Sequence, residues 1–166
     1  MILRDDTRKT IKFIIWVVIL AIIFYIASIF VFYKAGSNSR NNDQQIVRIA
    51  NQKTPITNVQ NYYHLNRGTN SYAIKGTDKK GKVYYFIYLP SSKKAYLYQS
   101  DKAVSQNKIS KIFYEKHPNS NVKSINLGWY QSQPVWEVAY QNKNSKLGFT
   151  LYDFHNAKLV NEVDNL

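Results

Sequence analysis

The sequence contains no cysteine, three histidines and only ten acidic residues in 166. Without cysteine there is no disulfide, no thiol nucleophile and no site for lipid attachment of the lipoprotein kind, although an exported domain can fold without disulfides. The histidines, His64, His117 and His155, lie far apart and lack metal-ligand spacing such as His-Glu-x-x-His. Each reads as a surface or turn residue rather than a ligand. Glu115 and His117 are two apart on a predicted helix and so point in different directions. There is no Gly-x-Ser-x-Gly elbow and no glycine-rich loop to cradle phosphate. Ser-x-x-Lys occurs three times, at Ser91 to Lys94, Ser105 to Lys108 and Ser120 to Lys123. A chain this rich in Ser and Lys produces that spacing by chance, and the companion motifs of penicillin-binding enzymes are missing. No catalytic set, metal site or cofactor is expected.

What is present begins with Phe13 to Tyr33, "FIIWVVILAIIFYIASIFVFY", without a single charge. Such a run spans about 31 Å as a helix, the thickness of a bilayer's hydrocarbon core. A cleaved signal peptide would have a shorter apolar region ending in small residues, and Ala35-Gly36-Ser37 is only a weak cleavage site. The reading is a single transmembrane helix over 13–33, preceded by an N-terminal segment over 1–12. Arg4, Arg8, Lys9 and Lys12 precede the span, whereas Lys34 and Arg40 are the basic residues close behind it. The positive-inside rule then places the N-terminus in the cytoplasm and residues 34–166 outside the cell membrane.

The four basic and two acidic residues ahead of the span leave 19 and 8 behind it, a net of +11 outside. A basic soluble protein invites a nucleic-acid reading. Outside a membrane the anions at hand are lipid headgroups and charged wall polymers, so no nucleic-acid partner is expected. The plain alternative is a solvated basic face with no specific ligand.

Residues 34–42 read as a polar linker, short enough to hold the first outer domain within about 30 Å of the bilayer. A helix is predicted over Arg40 to Thr54, stopped by Pro55. Strands come next near 56–65, 70–77, 82–89 and 94–99. The pattern then recurs: a helix with Ser100 as N-cap and Asp101 in its first turn, ended by His117-Pro118, and strands near 122–130, 134–142, 147–154 and 158–163. A shift of 64 residues lays Asp78-Lys79-Lys80-Gly81 on Asn142-Lys143-Asn144-Ser145, Tyr72 on Trp136 and Lys94 on Lys158. The fold class is therefore α+β. Two tandem domains, 43–99 and 100–166, each pack a helix on an antiparallel sheet, and being small they share an interface.

One strand is unusual. In Val83 to Leu89 both faces are apolar or aromatic, where a half-buried strand needs only one. In the second copy Leu147, Phe149 and Leu151 alternate with Gly148, Thr150 and Tyr152, which reads as an ordinary mixed surface. Val83, Tyr85 and Ile87 are accordingly assigned to the core. Tyr84, Phe86 and Tyr88 become an additional stripe that either seals the contact between the domains or meets a partner. Large exposed aromatic patches are uncommon on monomers, which favours the seal.

The single span, "YAIKGTDKKGKVYYFIYLPSSKKAYL" and "VWEVAYQNKNSKLGFTLYDFHNAKLV" resemble the TseB-like (YpmB-like) cell-wall elongation regulators of Gram-positive bacteria. The resemblance rests on Lys75, Gly76, Asp78 and Gly81 in the first hairpin and on Trp136, Glu137, Asp153 and Lys158 in the closing block. That block is also similar to PepSY-type domains, whose turn after the aspartate is usually written Thr-Gly-Lys. Here His155-Asn156-Ala157-Lys158 keeps the lysine and loses the glycine. The resemblance implies tandem cystatin-like/PepSY-like domains outside the membrane. It also implies a non-enzymatic role in peptidoglycan elongation through contact with penicillin-binding proteins. Two alternatives stand beside it: a binder of anionic wall polymer or lipid, driven by charge, and a peptidase-inhibitor-like module.

Overall fold

The computed structural model describes residues 3–35 and 46–164. The predicted linker, beyond Lys34 and Ala35, and the predicted start of the first outer helix lie outside the described residues. The chain divides into two units, Met1–Asp43 and Gln44–Leu166.

The first unit holds one long helix, α1 (Leu3–Ala35), and its segment Lys9–Phe32 is long and apolar enough to cross a membrane. None of that segment is buried within the protein, so its apolar side chains have only an external apolar medium to satisfy them. Ser28 returns its hydroxyl to the Phe24 carbonyl at 2.9 Å, which makes a polar residue tolerable there.

The outer unit is built from two repeats. Helix α2 (46–53) leads into a sheet of four antiparallel strands in sequential order. These are β1 (Asn58–Asn66), β2 (Asn70–Thr77), β3 (Val83–Leu89) and β4 (Lys94–Gln99). A single 3-10 turn (Ser100–Lys102) follows, then α3 (Gln106–Lys116) and the second sheet. Its strands are β5 (Asn121–Tyr130), β6 (Gln133–Gln141), β7 (Leu147–Asp153) and β8 (Leu159–Val163), again in sequential order. The N-cap of α3 is Ser105, whose side chain accepts from Lys108 N, and not Ser100 as the sequence suggested. Ser100 and Asp101 mimic a helix start but belong to the 3-10 turn. The Ser105 to Lys108 spacing thus serves as a cap.

The two repeats match in detail. Each has a bulge in its first strand, between Val59 and Asn61 and between Val122 and Ser124. The buried helix residues Ile46 and Ala50 have Ile109 and Phe113 as counterparts, 63 residues on. The first hairpin of the second repeat carries one residue more, so the offset becomes 64 from there. In the first repeat Asp78 accepts from Lys80 N and Lys82 N, while Asn142 accepts from Asn144 N and Lys146 N in the second. Gly81 and Ser145 both take a positive φ, 79° and 61°.

The faces of β3 differ from the sequence assignment. Tyr84 and Phe86 are 8% and 1% exposed and pack beneath α2 with Ile46, Ala50, Ile56 and Ile74. Half-buried Tyr88 joins them, so this stripe is the repeat's own helix–sheet core. Tyr85, Ile87 and Leu89 face the other way, into a cluster with Leu127, Trp136 and Phe154 of the second repeat. The seal between the repeats is thus made by the face assigned to the core, and the assigned seal is core. The first sheet is covered on both sides, which is why both faces of its central strand are apolar.

Candidate interaction surface

The residues of the sequence resemblance fall into three structural groups. Asp78 and Gly81 form the β2–β3 turn. The Asp78 carboxylate lies below its usual pKa range because backbone amides, Lys82 N first, donate to it. Gly76 sits across from Tyr84 and half-buried Lys75 across from Tyr85. A Cβ on Gly76 would lie 2.6 Å from Asn58 O, so the strand can approach the start of β1 only without a side chain.

Trp136 and Glu137 belong to the seam between repeats. The Trp136 ring takes Tyr63 and Tyr85 edge-on at centroid distances of 5.5 and 5.8 Å, and its indole N–H donates to Val104 O at 2.9 Å. On the opposite face of the second sheet, Glu137 accepts from Arg67 Nε at 2.5 Å. Its side chain is 6% exposed, and the guanidinium lies 3.8 Å over the Phe149 ring. Arg67 comes from the β1–β2 turn of the first repeat, so a buried carboxylate of one repeat is satisfied by the other. The seam is tight: Leu65 and Gly128 are equivalent positions, and a Cβ on Gly128 would lie 2.3 Å from Leu65 Cβ. Ser71 Oγ bridges it, donating to Leu65 O and accepting from Trp129 N. Burial at the seam raises the hydroxyl pKa values of Tyr63 and Tyr85.

Asp153 and exposed Lys158 frame the last turn, which forms despite the missing glycine. Asp153 Oδ1 accepts from His155 N and Asn156 N, Asp153 N donates to Lys158 O, and Ala157 takes φ +59° where a glycine would be relaxed. The three histidines are apart. His64 stacks on Tyr72, His117 stacks on Phe113 with Nε2 3.2 Å from Glu162 Oε1, and His155 Nδ1 lies 2.6 Å from Lys102 O. Among the described residues no group of three His, Asp or Glu is placed to hold a metal.

Two hollows occupy equivalent places, between the end of each helix and the β2–β3 or β6–β7 turn. The first, of about 560 Å³, is lined by Asn51, Thr54, Pro55, Ile56, Asp78, Lys79 and Lys80. The second, of about 270 Å³, is lined by Lys116, His117, Pro118, Asn142, Lys143 and Asp164. Among the described residues of the outer unit, Arg67 is the one Lys or Arg engaged in an ion pair. The lysines at both hollows therefore present ammonium groups to solvent.

No family model matches the chain. It is 26% identical over 157 residues to the probable cell wall elongation regulator TseB of Bacillus subtilis (strain 168), covering 92% of this chain and 97% of that protein. The chain resembles TseB over nearly its whole length. A match of that extent reaches into the apolar helix and takes in both repeats. The solved structure of the YpmB protein from Bacillus subtilis superimposes with a TM-score of 0.65 at 24% identity. It covers 73% of this chain and 95% of that one, a share the size of the outer unit, and shows the fold. The TseB-like and YpmB-like pattern and the α+β tandem repeat are thus supported by sequence and by fold together.

Proposed function

We propose that this protein is a membrane-anchored, non-enzymatic regulator of cell-wall elongation. It acts from outside the membrane through contact with a penicillin-binding protein or another elongation component. The observation that carries the reading is the similarity to TseB along both units of the chain. Helix α1 supplies the anchor, and the excess of Arg and Lys ahead of it favours a cytoplasmic N-terminus. Crosslinking in cells followed by mass spectrometry of native membranes tests it. The expected result is recovery of a penicillin-binding protein or another elongation component. Recovery of only lipid or wall polymer would reject the protein-partner reading.

A second reading is favoured by the exposed lysines at the two hollows: contact with an anionic wall polymer. Such binding weakens steeply with salt. Failure of the protein to bind teichoic acid or anionic vesicles at low salt would remove it.

A further inference from the structure

We propose that the outer edge of β4, unpaired among the described residues, is a docking site for an extended segment of a partner protein, with an acidic residue at the end that meets Lys93 and Lys94 and an apolar residue at its centre. The partner's place in wall elongation rests on the reading above, whereas strand addition at this edge does not.

The repeat provides an internal comparison. Strands β4 and β8 end their sheets in equivalent positions. An open strand edge presents unpaired backbone groups, and natural sheets guard such edges with a mid-strand charge, a bulge or a short strand. The edge at β8 has all three. It is five residues long, its register breaks between Leu151 and Tyr152, and Glu162 stands across from Thr150. The edge at β4 is regular over six residues, from Tyr84 opposite Gln99 to Leu89 opposite Lys94. Across from Phe86, the counterpart of Thr150, it carries Leu97 instead of an acid. Leu97 is 41% exposed. Lys94, the charge that could guard this edge, is the first residue of the strand and leaves Ala95–Gln99 uncharged.

The other face of β4 is held from behind. Tyr96 stacks on Trp129 at 4.2 Å and Tyr98 lies 5.1 Å from Phe154. Its backbone is therefore already ordered, and an added strand loses mainly its own conformational freedom. Charge selects the occupant. Lys93 and Lys94 stand at one end of the edge, neither in an ion pair among the described residues, whereas beyond the other end Lys102 is offset by exposed Asp101. A second copy of this chain would bring another strongly basic segment against it, net +11 over residues 34–166, which opposes self-pairing. A strand with an acidic residue at the end that meets Lys93 and Lys94 matches that site and places its middle side chain beside Leu97.

Hydrogen–deuterium exchange on the full chain in detergent micelles tests the proposal. The probe is the peptide acetyl-Glu-Val-Thr-Val-Thr-Val-Glu-amide, with a Lys-ended version as control. At about 1 mM acidic peptide the proposal predicts exchange across Lys94–Gln99 slowed on the order of tenfold. The slowing should be weaker with the Lys-ended peptide, absent in Leu97→Lys, and unaccompanied by change at Leu159–Val163. Leu97 is partly exposed, and the melting temperature of Leu97→Lys checks its fold independently. No slowing in the unaltered protein, or equal slowing at β8, would overturn the proposal. Slowing that follows protein concentration without peptide would replace the acidic partner with a second copy. These outcomes are read without reference to wall synthesis, so they fail separately from the regulator reading.

Discussion

Gly76 and Tyr84 face each other across β2 and β3, and the equivalent pair in the second repeat is Tyr140 and Gly148, with ring and glycine exchanged between strands. A Cβ on Gly148 would meet the Tyr140 ring at 2.7 Å, so one ring fills the space of both positions. The same exchange occurs between layers. Ala50 and Phe86 share one helix–sheet core, while the counterparts in the other are Phe113 and Thr150. The two repeats solve the packing of a helix on a sheet with the bulk on opposite sides.

Phe86→Thr copies the sheet residue of the second repeat without the matching bulk on its helix. It should open a cavity under α2 and destabilise by about 3 kcal/mol, in the range for truncating a buried ring. Chemical denaturation of the full chain measures it. Unchanged stability would mean that Phe86 is not part of this core.

Arg67→Ala should destabilise by about 3 kcal/mol, because it leaves the nearly buried Glu137 carboxylate without its partner. Replacing both residues with Met should cost clearly less than Arg67→Ala, since no charge then remains buried. A double-mutant cycle on denaturation midpoints gives the coupling.

The pH dependence at the first hairpin comes from Asp78. Its folded pKa is lowered, chiefly by the Lys82 N–H, so the unfolded chain holds the proton more tightly. The contribution is present above the ordinary carboxylate value near 4 and is lost as pH falls through the folded value. Asp78→Asn installs the residue that plays this part at Asn142 and should flatten the acid limb of stability below the ordinary carboxylate range near pH 4. Melting temperature against pH for the two proteins makes the comparison.

Ala157→Gly should stabilise by up to about 1 kcal/mol, because the left-handed conformation costs a Cβ-bearing residue more than the added freedom of glycine in the unfolded chain. Thermal unfolding measures the gain. A loss of stability would mean that the turn is not strained at this residue.

All eight strands were legible because turn residues punctuate them: Gly81 and the Asx turns at Asp78, Asn142 and Asp153 are local chemistry. The start of α3 was not, since Ser100-Asp101 and Ser105 both resemble helix caps and only packing decides between them. Which face of β3 meets its helix could not be read from alternation, because both faces are covered. Gly148 looked like a surface position because the bulk above it comes from Tyr140 on the neighbouring strand, and Thr150, polar in sequence, is fully buried. The Arg67–Glu137 pair joins residues 70 apart in sequence, and no local pattern announces it.

The regulator reading is tested most directly by pulse-labelling new peptidoglycan with a fluorescent D-amino acid in cells with and without this protein. Loss of the protein should change the rate of label incorporation along the side wall while septal labelling stays as it was, and re-expression of the full chain should restore it. Side-wall labelling that is identical in the two strains would contradict a role in elongation.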